Sequence, residues 1–250
     1  GLTEGSNYRV RAIATDSFGL SAQDNSNATF SISFILWKIE LTGSVSSAAL
    51  YQYLIIAAAA PWASAGEDPL DGPDPPPVPD TTYFDMFFPI SASNYMRDVR
   101  PHANPTTWNF KARAEGLSGS TTISSSYTGV PLSESHFIVL QDTAAGQSRN
   151  LRVTPAYNYS SSLGEIRNFN LIVKSNSPPS VQVTSPSVAT VAGTINVMAA
   201  ASDPDGISPY NDSIASVSFQ YASSPYSAWF NIGNGALASG APASGVWSAS

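Results

Sequence analysis

The runs SVQVTS (180–185), TINVMAAAS (194–202) and IASVSFQY (214–221) alternate apolar and polar residues, and Pro, Gly, Asn and Ser clusters separate them. Period-two alternation bounded by turn residues is the pattern of half-buried antiparallel strands. SAWFNIG (227–233) and GVWSAS (245–250) continue it, so the last part of the chain predicts about five strands. At the other end, NYRVRAIAT (7–15) and ATFSISFI (28–35) predict a hairpin turning through Asp16, Ser17, Phe18 and Gly19. Neither set has enough strands to close a core alone.

Particular residues sharpen this pattern. Pro178-Pro179-Ser180-Val181, Ser185-Pro186, Ala201-Ser202-Asp203-Pro204-Asp205-Gly206 and Val217-Ser218-Phe219 resemble the first half of the bacterial extracellular Ig-like (fibronectin-III-like) repeats of surface proteins. Gly1-Leu2-Thr3-Glu4-Gly5-Ser6-Asn7-Tyr8-Arg9-Val10-Arg11-Ala12 and Ala14-Thr15-Asp16-Ser17-Phe18-Gly19 resemble the second half, in which a leucine, turn, glycine, tyrosine step leads into a strand. Five strands and two make the seven of such a sandwich. The resemblance implies an Ig-like domain split between the ends, its N-terminal strands in 177–250 and its closing hairpin in 1–36. The packing contact would fall on Tyr8, Val10, Ala12, Ile13, Phe30, Ile32 and Phe34.

Three arrangements could join the halves: a covalent tandem array, head-to-tail complementation between chains, or closure of the chain on itself. The first and last strands of a seven-strand sandwich end at opposite poles. The links at Phe34 to Trp37 and Lys174 to Pro178 are short, which favours a head-to-tail string. The expected partner is therefore another copy of the chain.

The middle segment, 37–176, predicts a second and larger β-sandwich. WKIELTG, ALYQYLII, TYFDMFF, TWNFKARAE, STTISSSYT, HFIVLQD, NLRVTPAYNYS and FNLIVKS are spaced by turn residues as in an all-β domain. The run Ala48 to Ala60 is shorter than the roughly 20 apolar residues of a spanning helix and includes Gln52. Its Tyr51, Tyr53, Leu54, Ile55 and Ile56 favour a strand that Pro61-Trp62 ends. The opening W-x-I-x-L strand and the proline-rich loop resemble domains of unassigned role in secreted bacterial proteins. The fold expected is thus all-β: two sandwich units, one of them split.

Composition narrows the functions. Without cysteine there is no disulfide, thiolate metal site or cysteine nucleophile. The net charge of -7, with no basic patch among its 11 Lys and Arg, argues against nucleic-acid binding. Only 12% of residues are charged, and together with the resemblance this points to an extracellular or cell-surface location.

Chemistry has few anchors. Glu67, Asp68, Asp71, Asp74 and Asp80 crowd one proline-rich loop and could offer hard oxygens to Ca²⁺; the alternative is a loop packed across a sandwich face. Asp203, Asp205, Asn211 and Asp212 form a second candidate calcium turn, although DPDG is a turn sequence in its own right. His102 and His136 lack partner motifs, and no nucleophile elbow, zincin, P-loop or dinucleotide fingerprint occurs, so catalysis is not expected. Trp62, beside Pro61, is the candidate platform for surface glycans, with Tyr51, Tyr53, Tyr226 and Trp229 as further aromatics. The sequence thus predicts a structural repeat of a filament, stalk, sheath or giant surface protein, with a carbohydrate-binding or adhesive module as the alternative.

Overall fold

A computed structural model describes residues 5–15, 17, 20–27, 30–32, 35–48, 52–76, 82–129, 136–187, 193–210, 212–222 and 228–249. Among them every regular element is a strand, apart from one 3-10 turn at Ser46–Ala48.

The N-terminal strands β1 (Gly5–Tyr8), β2 (Arg11–Thr15), β3 (Ser21–Asn25) and β4 (Phe30–Ile32) form one long hairpin. β2 pairs antiparallel with β3 from Arg11↔Asn25 to Thr15↔Ser21, and β1 with β4 at Tyr8↔Phe30. A backbone bond from Ser26 to the Val10 carbonyl bridges the two ladders. Among the described residues these strands pair only with each other.

The central strands are β5 (Trp37–Val45), β6 (Gln52–Ala59), β7 (Gly72–Pro73), β8 (Tyr83–Ile90), β9 (Ser93–Arg100), β10 (Thr106–Glu115), β11 (Gly119–Gly129), β12 (His136–Asp142), β13 (Gln147–Asn150), β14 (Ala156–Ser161) and β15 (Glu165–Ser175). They form one continuous sheet in the order β13-β12-β15-β10-β8-β9-β6-β5-β11-β14, with β7 on β9. The sheet folds back on itself as a sandwich because β8 serves both layers. Its first half, Tyr83 to Phe87, pairs with β10, and its second, Phe88 to Ile90, with β9. Phe84 to Phe88 are consequently all buried, without the alternation of a one-layer strand.

In β5 the alternation is unbroken, and Trp37, Ile39, Leu41, Gly43 and Val45 all point inward. Across the layers Trp37 meets Trp108 edge-on at 5.3 Å, and within one layer Phe110 of β10 stacks on its cross-strand partner Phe169 of β15 at 5.2 Å. Gly43 lets the layers approach: an added Cβ would lie 2.5 Å from the Phe84 ring and 2.7 Å from the Met86 sulfur. Among the described strands only β6 and β9 pair in parallel, which requires a long crossover between them.

The remaining strands are β16 (Ser180–Ser185), β17 (Val197–Ser202), β18 (Ser218–Tyr221), β19 (Phe230–Asn234), β20 (Ala236–Ala241) and β21 (Ser244–Ala249). Four make a sheet ordered β16-β17-β21-β20, while β18 and β19 pair separately. This set has a small core of Ala199, Ala201, Ile214, Phe219 and Trp247.

Candidate interaction surfaces

The carboxylate loop belongs to the β6-to-β9 crossover. Ala58 and Val99 on the outer face of that parallel pair are buried with Ala60 and Ala63, and Leu70 packs against them. The loop is stapled down by its own acids. Asp68 accepts from the amides of Ser64 at 2.8 Å and Leu70 at 2.7 Å. Asp71 accepts from the amides of Asp68 at 2.9 Å and of Val99, in β9, at 2.8 Å. Burial pushes the Asp71 carboxyl above its ordinary range, against the pull of those two amides. Asp74 accepts from the Tyr53 hydroxyl. The loop therefore packs across a sandwich face, with oxygens of Asp68, Asp71 and Asp74 engaged by protein donors. Among the described residues no group of three or more His, Asp or Glu is arranged to hold a metal ion; Asp80 lies outside them.

The second acidic turn lies at the joint between the central sandwich and the C-terminal strands. Lys174, near the end of β15, pairs with Asp205, which is 1% exposed. The same carboxylate accepts from the Ser177 amide in the linker at 2.7 Å. Asp203 accepts from the Asp205 amide at 2.8 Å, and Asn176 donates to Asp212 at 3.0 Å. The ammonium of Lys174 also lies 4.7 Å from the Tyr210 ring centre, and that ring packs against Phe137 of β12 at 5.3 Å. A lysine from the neighbouring body thus supplies positive charge to this acidic turn. Burial, reinforced by Asp212, pushes the Asp203 carboxyl up. The cross-body partner was invisible in the turn itself; the signal was a lone lysine four residues before the Pro178-Pro179 step.

The third surface is the unfinished C-terminal sandwich. Val181 pairs with Ala201 and Val183 with Ala199, and Ala199 in turn with Trp247, so both valines share the face that bears Trp247 and packs against Phe219, yet they are 66% and 65% exposed. Two open clefts run between this face and β18. One, of about 340 Å³, is lined by Val181, Val183, Ala199, Phe219 and Trp229; the other, of about 210 Å³, by Pro179, Val181, Ala201, Ile214 and Val217. Among the described strands β18 pairs only with β19, so its other edge is bare.

The hairpin presents the converse. Every residue of β2 and β3 is exposed, as is Val10. The β2–β3 register puts Ala12 and Ala14 with Ala22 and Asp24 on one face, and Arg11, Ile13 and Thr15 with Gln23 on the other. Ala12 and Ile13 therefore cannot pack through the same face. For Tyr8, Phe30 and Ile32 the backbone pairing is described, and Phe34 lies outside the described residues.

Trp62 stands 43% exposed on the turn after β6. Tyr53 faces inward to Asp74, and Trp229 lines the cleft beside β18, so these aromatics form no common platform; Tyr51 and Tyr226 lie outside the described residues. His102 packs edge-on against Trp37 at 6.3 Å. Burial pushes His136 down, with the charges of His102 and Arg152 adding to it. Among the described residues no helix is long and apolar enough to cross a membrane.

The chain matches no protein-family model, no curated protein and no solved structure.

Proposed function

We propose that the chain is a structural repeat of an extracellular filament, stalk, sheath or giant surface protein, joined head-to-tail through a split Ig-like domain. The observation that carries this reading is the pairing of two incomplete surfaces: an apolar sheet face left open at Val181 and Val183, and a hairpin with no sheet partner among the described strands. The order β16-β17-β21-β20 corresponds to the A-B-E-D sheet of an immunoglobulin sandwich. On that correspondence β18 is strand C, β19 an added strand beside it, and the missing members are the F–G hairpin. The segment 5–32 has the form of that hairpin.

The joint at Lys174 and Asp205 gives the repeat its mechanical sense. A buried ion pair, a ring contact and linker bonds at Ser177 and Asn176 resist bending more than a free Pro-containing linker would. Electron microscopy of a head-to-tail fusion of several copies tests the proposal. Straight rods with an axial repeat of about 70 Å per copy are expected, the length of two domains of this size end to end. Flexible chains with no ordered junction would overturn it. If such chains bound glycans in a way lost on Trp62→Ala, the exposed tryptophan would be a carbohydrate site instead.

A further inference from the structure

We propose that the bare edge of β18, Ser218–Tyr221, is a strand-addition site whose occupant is β2, Arg11–Thr15, of a second copy, laid antiparallel beside it. The inference rests on the split-domain reading and specifies its contact. The described C-terminal strands offer several unpaired edges, on β16, β18, β19 and β20. Beside β18 both clefts open; Ala199, Ala201 and Val217 line them, and the exposed Val181 and Val183 at their rim are what a second-layer strand would cover.

The hairpin fits this vacancy in two respects. Its face of Ala12, Ala14 and Ala22 is small and would lie over Ala199 and Ala201, with Asp24, opposite Ala12, toward the end of the ladder away from the turn. Its opposite face carries Arg11, bonded to Gln23, and keeps that charge in water. Backbone hydrogen bonds along the edge would supply the attraction and the alternate side chains the register, as in other strand additions. With β2 on β18, the second hairpin strand falls over β16 and covers Val181 and Val183.

The chain has no cysteine, so engineered pairs read the contact without background. Equal amounts of an Ile13→Cys chain and a Gln220→Cys chain are oxidised, with Gln182→Cys, on the β16 edge, as the control acceptor. All three positions are exposed, so folding is preserved. Adjacent strands bring Cα atoms to disulfide distance, whereas the edges of two stacked sheets stand roughly 10 Å apart, so the 13–220 dimer should exceed the 13–182 dimer by about tenfold or more. A dominant 13–182 dimer would overturn the β18 edge while leaving the split domain standing. A chain carrying both Ile13→Cys and Gln220→Cys that closes on itself as a monomer would overturn the second copy as occupant. No cross-link from any chain, together with sedimentation as monomers at millimolar concentration, would overturn the split-domain reading itself.

Discussion

Val181 and Ala201 are partners across the β16–β17 ladder, and on the same face of the sheet Ala201 is 5% exposed while Val181 is 66% exposed. An edge strand normally hides such a valine under the opposite layer. Here the opposite layer, β18 and β19, reaches Phe219 over Trp247 and stops short of β16.

The first prediction follows from that exposure. Val181→Ser with Val183→Ser should alter the unfolding of the isolated chain by no more than about 0.5 kcal/mol, as for surface substitutions generally. Association should suffer far more, because burying each valine contributes roughly 1.5 kcal/mol or more, about tenfold in affinity apiece. Thermal unfolding and sedimentation of the same variant check both halves; equal loss in the two would mean the valines act in the free chain.

At the joint, Lys174→Met should cost about 3 kcal/mol by leaving Asp205 buried beside no cation. Adding Asp205→Asn should recover much of that, since the uncompensated charge is then gone. Denaturant unfolding measures the energies, and proteolysis near Ser177 should accelerate in the single variant and slow again in the double.

Acid should act in two opposite steps. Burial raises the carboxyls of Asp85 and Asp98 above the ordinary range, so between neutrality and about pH 4 the folded state takes up more protons than the unfolded chain and stability rises as pH falls. Asp142 behaves in reverse. Burial pushes it up, but bonds from Arg167, the Ala145 amide and Tyr157 overcome that and hold it low. Its stabilisation is complete above the unfolded value of about 4 and is lost as pH falls through its lower folded value. The melting temperature should therefore peak on the acid side of neutrality and then drop. Asp142→Asn should lower the peak and flatten the drop; an unchanged acid limb would contradict the assignment.

Gly43 tests the layer spacing. Gly43→Val would drive methyls into Phe84 and Met86 and should destabilise by about 3 kcal/mol, as overpacking of a filled core does. Met86→Ala in the same chain should relieve part of that loss in a thermal melt.

Where apolar alternation met one buried face, the strands were legible: β5 and β10 fall close to the runs that predict them. β12 and β16 were legible too and fall close to theirs, although β12 is buried along Phe137–Leu140 and β16 is largely exposed. β9 was not, because SNYMRDVR is buried on both sides, against the core at Tyr95 and Asp98 and under the acidic loop at Val99. The run NLRVTPAYNYS reads as one strand but bends at Leu151–Thr154, where amides of Val153 and Thr154 turn back to Asn150, giving β13 and β14. β20, with the sequence ALASGA, carries almost no pattern, and so six C-terminal strands stand where about five were expected. The Lys174–Asp205 contact joins residues 31 apart in sequence and in different bodies, a relation that local spacing does not encode. The open face at Val181 was legible only as a missing strand count.

Amide hydrogen exchange on a head-to-tail fusion of two copies, against the single chain, tests the split domain most directly. An exposed hairpin alone is marginal, and its Arg11–Thr15 amides should exchange quickly in the single chain and in the first copy of the fusion. In the second copy, where the preceding C-terminal sheet is available, the same amides should slow by roughly a hundredfold or more, as those of a packed strand do. Equal, fast exchange in both hairpins would contradict the account.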